Sequence, residues 1–471
     1  MAGKAARTRP CRSGCPTRVP PRSRHLAPLR CRGKDERAWS GAGQLVEKLA
    51  RRLGVGDAVV IGLGSMIGAG VFGVFGPAAA AADSGTGLLV GLALAGVVAY
   101  ANATSSARLA ARYPQSGGTY VYGRERLGEF WGYLAGWAFV VGKTASCGAM
   151  ALTVGAYLWP AQARAVGVAA VVALTAVNYV GVQKAAWLTR AIVAVVLAVL
   201  AAVVVACLTG GSVEASRLGD GGYLAAGGVL TAAGLMFFAF AGYARIATLG
   251  EEVRDPARTI PRAMLIALGI TFVVYAAVAT AVLATLGAGV LAHSSAPLAD
   301  AVRAAGASWL VPVVRVGAAV GALGSLLALI LGVSRTTLAM ARDRHLPHAL
   351  SAVHPRFAVP HRAELAVGAV VVVLAATADL QGAIGFSSFG VLLYYAVANA
   401  SAWTLTRDEG RPPRGVPAVG LLGCLTLAFA LPLTSVASGT AVIAAGAAAY
   451  GVRARVLRRR GRGTGAGDGR S

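Results

Sequence analysis

Gly64-Ser65-Met66-Ile67-Gly68-Ala69-Gly70-Val71-Phe72 lies inside an apolar run, residues 56–80, that is long enough to cross a bilayer but poorly suited to do so as one helix. A crossing needs about 20 apolar residues, and each interior glycine costs roughly 1 kcal/mol of helix propensity relative to alanine. Gly62, Gly64, Gly68, Gly70, Gly73 and Gly76 all fall in this run. A second run, 224–249, repeats the pattern, with Gly234 and Gly242 around Phe237-Phe238-Ala239-Phe240-Ala241-Gly242-Tyr243. For any single glycine pair, close helix packing is the simpler account. The cluster in one run and its counterpart five helices later favour two interrupted helices, which point to an inverted repeat with a site at the membrane midplane.

Such breaks suit a zwitterion. Unwinding bares amides at the start of the second half-helix, where the dipole is positive and a carboxylate is favoured. It also frees carbonyls at the end of the first half-helix, which accept hydrogen bonds from an ammonium group. An amino acid carries both charges on one carbon, so a broken pair holds them and leaves the side chain to a variable pocket.

The rest of the chain agrees with a membrane protein. Of 471 residues, 56% are hydrophobic and 13% charged, about half the charged share of a soluble domain. Twelve apolar segments follow one another, near 56–80, 86–107, 130–158, 165–182, 190–209, 224–249, 263–286, 310–334, 363–378, 382–406, 416–432 and 434–452. The expected fold is an all-α polytopic membrane protein with 12 transmembrane helices. The net charge of +25 raises nucleic-acid binding, but its distribution answers the question. With the N-terminus inside, only Arg164, Arg217, Arg303 and Arg315 of the 44 Lys and Arg fall outside, and Lys143 and Arg245 fall within spans. This is the positive-inside pattern, which places both termini in the cytoplasm and leaves no need for a nucleic-acid partner. Residues 1–50, rich in Arg, Pro and Gly, read as a disordered basic extension, and 457–471 as a basic cytoplasmic tail. The six cysteines show neither a zinc spacing nor a disulfide framework. No metal or cofactor is expected.

Four ordered stretches carry a family resemblance: Gly64–Phe72; Ala111-Arg112-Tyr113-Pro114-Gln115-Ser116-Gly117-Gly118-Thr119-Tyr120 with Leu127–Tyr133; Phe237–Tyr243 running into Glu251–Arg262; and Ser334–Pro347 with Val353–Arg356. Over residues 52–456 the chain resembles the amino acid–polyamine–organocation (APC) permeases. The resemblance implies the LeuT-like fold, a 5+5 inverted repeat with discontinuous helices 1 and 6 and two further helices. It implies that the amides of Ala69 and Gly70, beside Gly68, meet a substrate carboxylate. The carbonyls of Met66, Phe238 and Ala241, next to Gly242, then meet its amine. Phe240 and Tyr243 become gate candidates, with ordinary packing as the alternative.

Departures bear on coupling. The helix 5 lysine of some proton-coupled members is Val196 here, a carboxylate near the helix 2–3 loop is Arg108, and an acidic residue after the helix 6 aromatic is Ala244. Lys143 lies deep in the third span, where a charge costs roughly 2.5–3.5 kcal/mol on insertion scales and marks a candidate functional site. Two readings stand for it: a proton-coupling group that replaces the missing lysine, or a lysine that snorkels or props neighbouring carbonyls. Arg245 either faces the pocket, disfavouring cationic substrates, or bridges to Glu251, Glu252 or Asp343. The loop after helix 6 either clamps an inward gate against Arg335 or Arg342, or is simply solvated.

The expected function is secondary active transport of amino acids across the plasma membrane by alternating access, coupled to protons. An exchanger or a polyamine or amine transporter of the same fold is the alternative. A membrane-embedded enzyme needs catalytic groups within the spans, yet all six histidines lie outside them and the carboxylates are expected in loops. A channel lacks a visible charged ring, and no phosphate-binding loop supports ATP-driven pumping.

Overall fold

The computed structural model describes residues 53–464, apart from 115–116, 182–185, 212, 220–224 and 251. The expected extension 1–50 and the tail beyond 464 lie outside these residues. What is described is helical, with an isolated bridge between Leu53 and Val253 as the only extended pairing among the described residues.

The first crossing is split into α1 (Val55–Met66) and α2 (Ala69–Gly73), and α3 (Phe75–Ala82) follows through Val74, which keeps a right-handed helical backbone. Next come α4 (Gly85–Arg112), α5 (Thr119–Leu127), α6 (Glu129–Leu158), α7 (Ala163–Tyr179), α8 (Ala186–Thr209) and the short α9 (Ser216–Gly219). The sixth crossing is α10 (Ala226–Phe240), a 3₁₀ turn at Ala241–Tyr243 and α11 (Ala244–Ala247). The remainder is α12 (Pro256–Ala292), α13 (Pro297–Ala304), α14 (Val311–Arg342), α15 (His361–Thr377), α16 (Leu380–Trp403), α17 (Gly415–Phe429) and α18 (Leu433–Thr464). Local chemistry sets several boundaries. Ser84 caps α4 by accepting from the Gly87 amide at 3.0 Å, Asp379 caps α16 through the Gly382 amide at 2.9 Å, and Pro256 opens α12.

Among the described residues, ten helices are long and apolar enough to cross a membrane. The other two expected segments form α15, 17 residues, and α17, 15 residues. At 1.5 Å per residue they span about 26 and 23 Å, short of the roughly 30 Å hydrocarbon core.

Burial separates centre from rim. Every residue of α6 from Gly142 to Tyr157 is buried, and α6 packs chiefly on α16 and α14. Enclosure by protein rather than lipid lets α6 carry Gly, Ser, Thr and Lys. By contrast α7 and α18 are largely exposed, and large apolar side chains such as Trp187, Val273 and Leu422 stand outward, as expected of a surface covered by lipid.

Candidate functional site

Both glycine-rich runs are interrupted, and the interruptions meet. In the first, Ile67 (φ −84°, ψ 71°) and Gly68 (φ −134°, ψ −134°) leave helical geometry between α1 and α2. The amides of Ala69 and Gly70, first in α2, therefore have no intrahelical acceptor. In the second, the chain tightens to a 3₁₀ turn at Ala241–Tyr243. Two glycines allow the backbones to touch. A Cβ on Gly242 would lie 2.2 Å from the Ser65 carbonyl oxygen, and one on Gly70 would lie 2.8 Å from Ala239 Cα.

Side chains from neighbouring helices occupy the freed carbonyls. Tyr275 of α12 bridges the two breaks, its Oη shared between the carbonyl oxygens of Met66 at 2.6 Å and Ala239 at 3.1 Å. The Met66 carbonyl also accepts from the Gly68 amide at 3.0 Å. Lys143, halfway along α6 and 7% exposed, donates from Nζ to the Ala241 carbonyl at 3.2 Å, and Tyr395 of α16 donates to the same oxygen at 3.4 Å. Ser325 of α14 donates to the Gly64 carbonyl at 3.0 Å.

A cavity of about 180 Å³ opens beside these contacts. Its walls include Ser65, Phe238, Ala241, Gly242 and Lys143 near the breaks, and Arg245, Glu252 and Arg335 farther out. A second cavity of about 400 Å³ shares Ser65, Arg245, Glu252 and Arg335 with it and reaches Leu53 and Asp57, where α1 begins. Asp57 is hydrogen-bonded to Arg190 on that side. The opposite end is packed shut: Tyr157 of α6 donates to the Phe72 carbonyl at 2.9 Å and accepts from the Leu298 amide at 3.3 Å.

Of the residues singled out from sequence, Phe238, Ala241, Gly242 and Lys143 line the cavity. Met66, Gly68, Ala69 and Gly70 are buried at the break without lining it. Phe240 stacks on Phe272 and packs at a tilt against Tyr275, and Tyr243 packs at a tilt against Tyr395, so both are held in aromatic packing. Lys143 props a carbonyl, as one of its two readings has it. Arg245 lines both cavities and donates to Thr248 at 3.2 Å, with no ion pair to Glu252 or Asp343. Asp343 is held by Tyr120 at 2.5 Å and Arg124 at 3.2 Å instead; Glu251 lies outside the described residues. Val196 is fully buried, packed beside Gly321, so the helix 5 position is apolar.

Tyr275, Tyr395 and Ser325 were not evident from sequence; a hydroxyl in an apolar run signals that it needs an acceptor, but not which one. The expectation that carboxylates stay in loops fails at Glu364. It sits in the first turn of α15, fully buried, with neither oxygen hydrogen-bonded among the described residues, and interacts electrostatically with Arg335.

The sequence model of the amino acid permease family matches residues 53–450. The chain belongs to the amino acid permease family. This permease is 72% identical over 422 residues to an uncharacterized transporter of Mycobacterium tuberculosis, covering 90% of this chain and 95% of the relative. It is 24% identical to a branched-chain amino acid permease of Bacillus subtilis, covering 81% and 88%. To the human cationic amino acid transporter 4 it is 29% identical, covering 78% and 61%. The permease is thus a multi-pass membrane transporter and not an enzyme.

Proposed function

We propose that this permease is a secondary active transporter that moves amino acids across the plasma membrane by alternating access, with both termini cytoplasmic. The observation that carries the reading is the position of the cavity, at the meeting of the two interrupted helices. On this reading the chain has twelve crossings, α15 and α17 included, arranged as a LeuT-like 5+5 inverted repeat. The cavities reach the end where α1 begins, so the conformation described corresponds to the state open to the cytoplasm.

In the proposed binding mode the break opens enough for the α-carboxylate to meet the Ala69 and Gly70 amides, which are buried just outside the cavity lining in the conformation described. The α-ammonium competes with Lys143 for the Ala241 carbonyl, beside Phe238 and Gly242. Met66 keeps its carbonyl on Tyr275 and supports the site from behind. Coupling is proposed to be proton symport through Lys143, since a proton leaving its ammonium weakens its hold on Ala241. Obligate exchange is the alternative.

The test is uptake of a labelled amino-acid panel into proteoliposomes holding the full chain. Saturable counterflow supports the carrier reading, and its stimulation by an inward proton gradient supports symport. Counterflow without any response to the gradient selects exchange, and flux that does not saturate overturns the carrier reading.

A further inference from the structure

Lys143 is a buried cation with no acidic partner among the described residues; its hydrogen bond goes to the Ala241 carbonyl. A charge so placed is costly unless something neutralises it. The wider wall does not. Arg245 and Arg335 line the same cavity, and Glu252 is the only acid that does so among the described residues. Glu364, which is buried and not part of the lining, acts on Arg335, and among the described lining residues three cations stand against one acid.

Resting on the transporter reading above, we infer that the substrate is an amino acid with an acidic side chain, and that Lys143 is its specificity determinant. Entry then proceeds by an exchange of partners. The α-ammonium takes the Ala241 carbonyl, and the released Lys143 ammonium turns to the side-chain carboxylate. Each charged group that loses a partner gains another, with Arg245 and Arg335 on the open side favouring approach of the anion. A neutral substrate displaces Lys143 and gives it nothing in return. A cationic one adds a like charge to three already present. A name attached to a relative, such as cationic amino acid transporter, therefore does not carry over at the side-chain end of the pocket.

The experiment is counterflow in proteoliposomes with labelled glutamate, aspartate, leucine and arginine, and with unlabelled glutarate as a competitor that lacks the amine. Acidic amino acids are expected to exchange with half-saturation roughly tenfold or more below that of leucine or arginine. Glutarate is expected to compete weakly. Lys143→Met should collapse the acidic-over-neutral ratio while Lys143→Arg retains it, and Arg335→Gln, which leaves the Lys143–Ala241 contact in place, should lower the ratio in the same direction. Preference for leucine or arginine, an unchanged ratio in both Lys143→Met and Arg335→Gln, or glutarate competing as well as glutamate overturns the inference while leaving the transporter standing. Failure of every amino acid to exchange overturns the transporter reading itself.

Discussion

At Gly242 one hydrogen stands where any other residue would place a carbon 2.2 Å from the Ser65 carbonyl oxygen. That oxygen is backbone and cannot swing away, so Gly242→Ala is expected to cost about 1–3 kcal/mol, the usual range for overpacking. Gly269 of α12 has open space where its Cβ would go, and Gly269→Ala should be neutral or stabilising by up to about 1 kcal/mol. Melting of the two variants in detergent checks the contrast; equal Tm values would mean that the close crossing is not formed. Tyr275→Phe removes the hydroxyl between the Met66 and Ala239 carbonyls and is expected to cost about 0.5–1.5 kcal/mol for each hydrogen bond lost, again read as a fall in Tm. The glycine cluster was legible in sequence because glycine's cost in a helix is local. Tyr275 was not, because its acceptors come from two other helices, one of them 209 residues away.

At the scale of elements, two of the quoted loop motifs meet in one contact network. Tyr120 and Arg124 of α5 hold Asp343 just past α14, and His345 lies 2.9 Å from the Tyr120 hydroxyl. Burial pushes the His345 imidazole below its ordinary range and the Tyr120 phenol above its own. Nearby, Glu409 in the α16–α17 connection accepts from the Thr406 amide and pairs with Arg126 and Arg112. The Thr406 amide first, then Arg126, pulls its carboxyl from the usual 4.5 down to about 2. A depressed carboxyl stabilises the fold fully above its unfolded value and loses that contribution as pH falls through the folded one. Melting temperature should therefore drop between about pH 4.5 and pH 2, and Glu409→Gln should flatten the part of that drop due to this residue. An identical acid profile in Glu409→Gln would show that the clasp contributes nothing. The sequence supplied these charged residues but not their pairing. Asp343 is one of three acids that the sequence offers to Arg245 if it does not face the pocket, and the packing of α5 against α6 and α16 brings Arg124 to Asp343 and Arg126 to Glu409 instead.

At the scale of the whole molecule, one end is open through two adjoining cavities and the other is closed around Tyr157. On the proposed alternating-access cycle, the Tyr157 contacts are the ones expected to break. Tyr157→Phe removes its hydrogen bonds to Phe72 and Leu298, each worth about 0.5–1.5 kcal/mol, and should favour the oppositely open state. A Thr153→Cys reporter, buried beneath Tyr157, is expected to react with an impermeant thiol reagent from outside faster in Tyr157→Phe than in its absence. An unchanged rate would remove Tyr157 from the closure. The membrane class and the two interruptions were readable from composition and glycine placement. In sequence α15 and α17 count among twelve crossings, but their short apolar lengths, and Glu364 in α15, depart from the pattern that marks a span.

The central claim is that an amino acid occupies the space where the two interrupted helices meet. Ser65 lines that space at the end of α1, and its neighbours leave it reachable from the open end. The direct measurement is alkylation of Ser65→Cys, with the native cysteines replaced, in the presence of increasing concentrations of each transported amino acid. Saturable protection, with a midpoint that follows the half-saturation for transport, is the expected result. Alkylation unaffected by saturating substrate would contradict the claim.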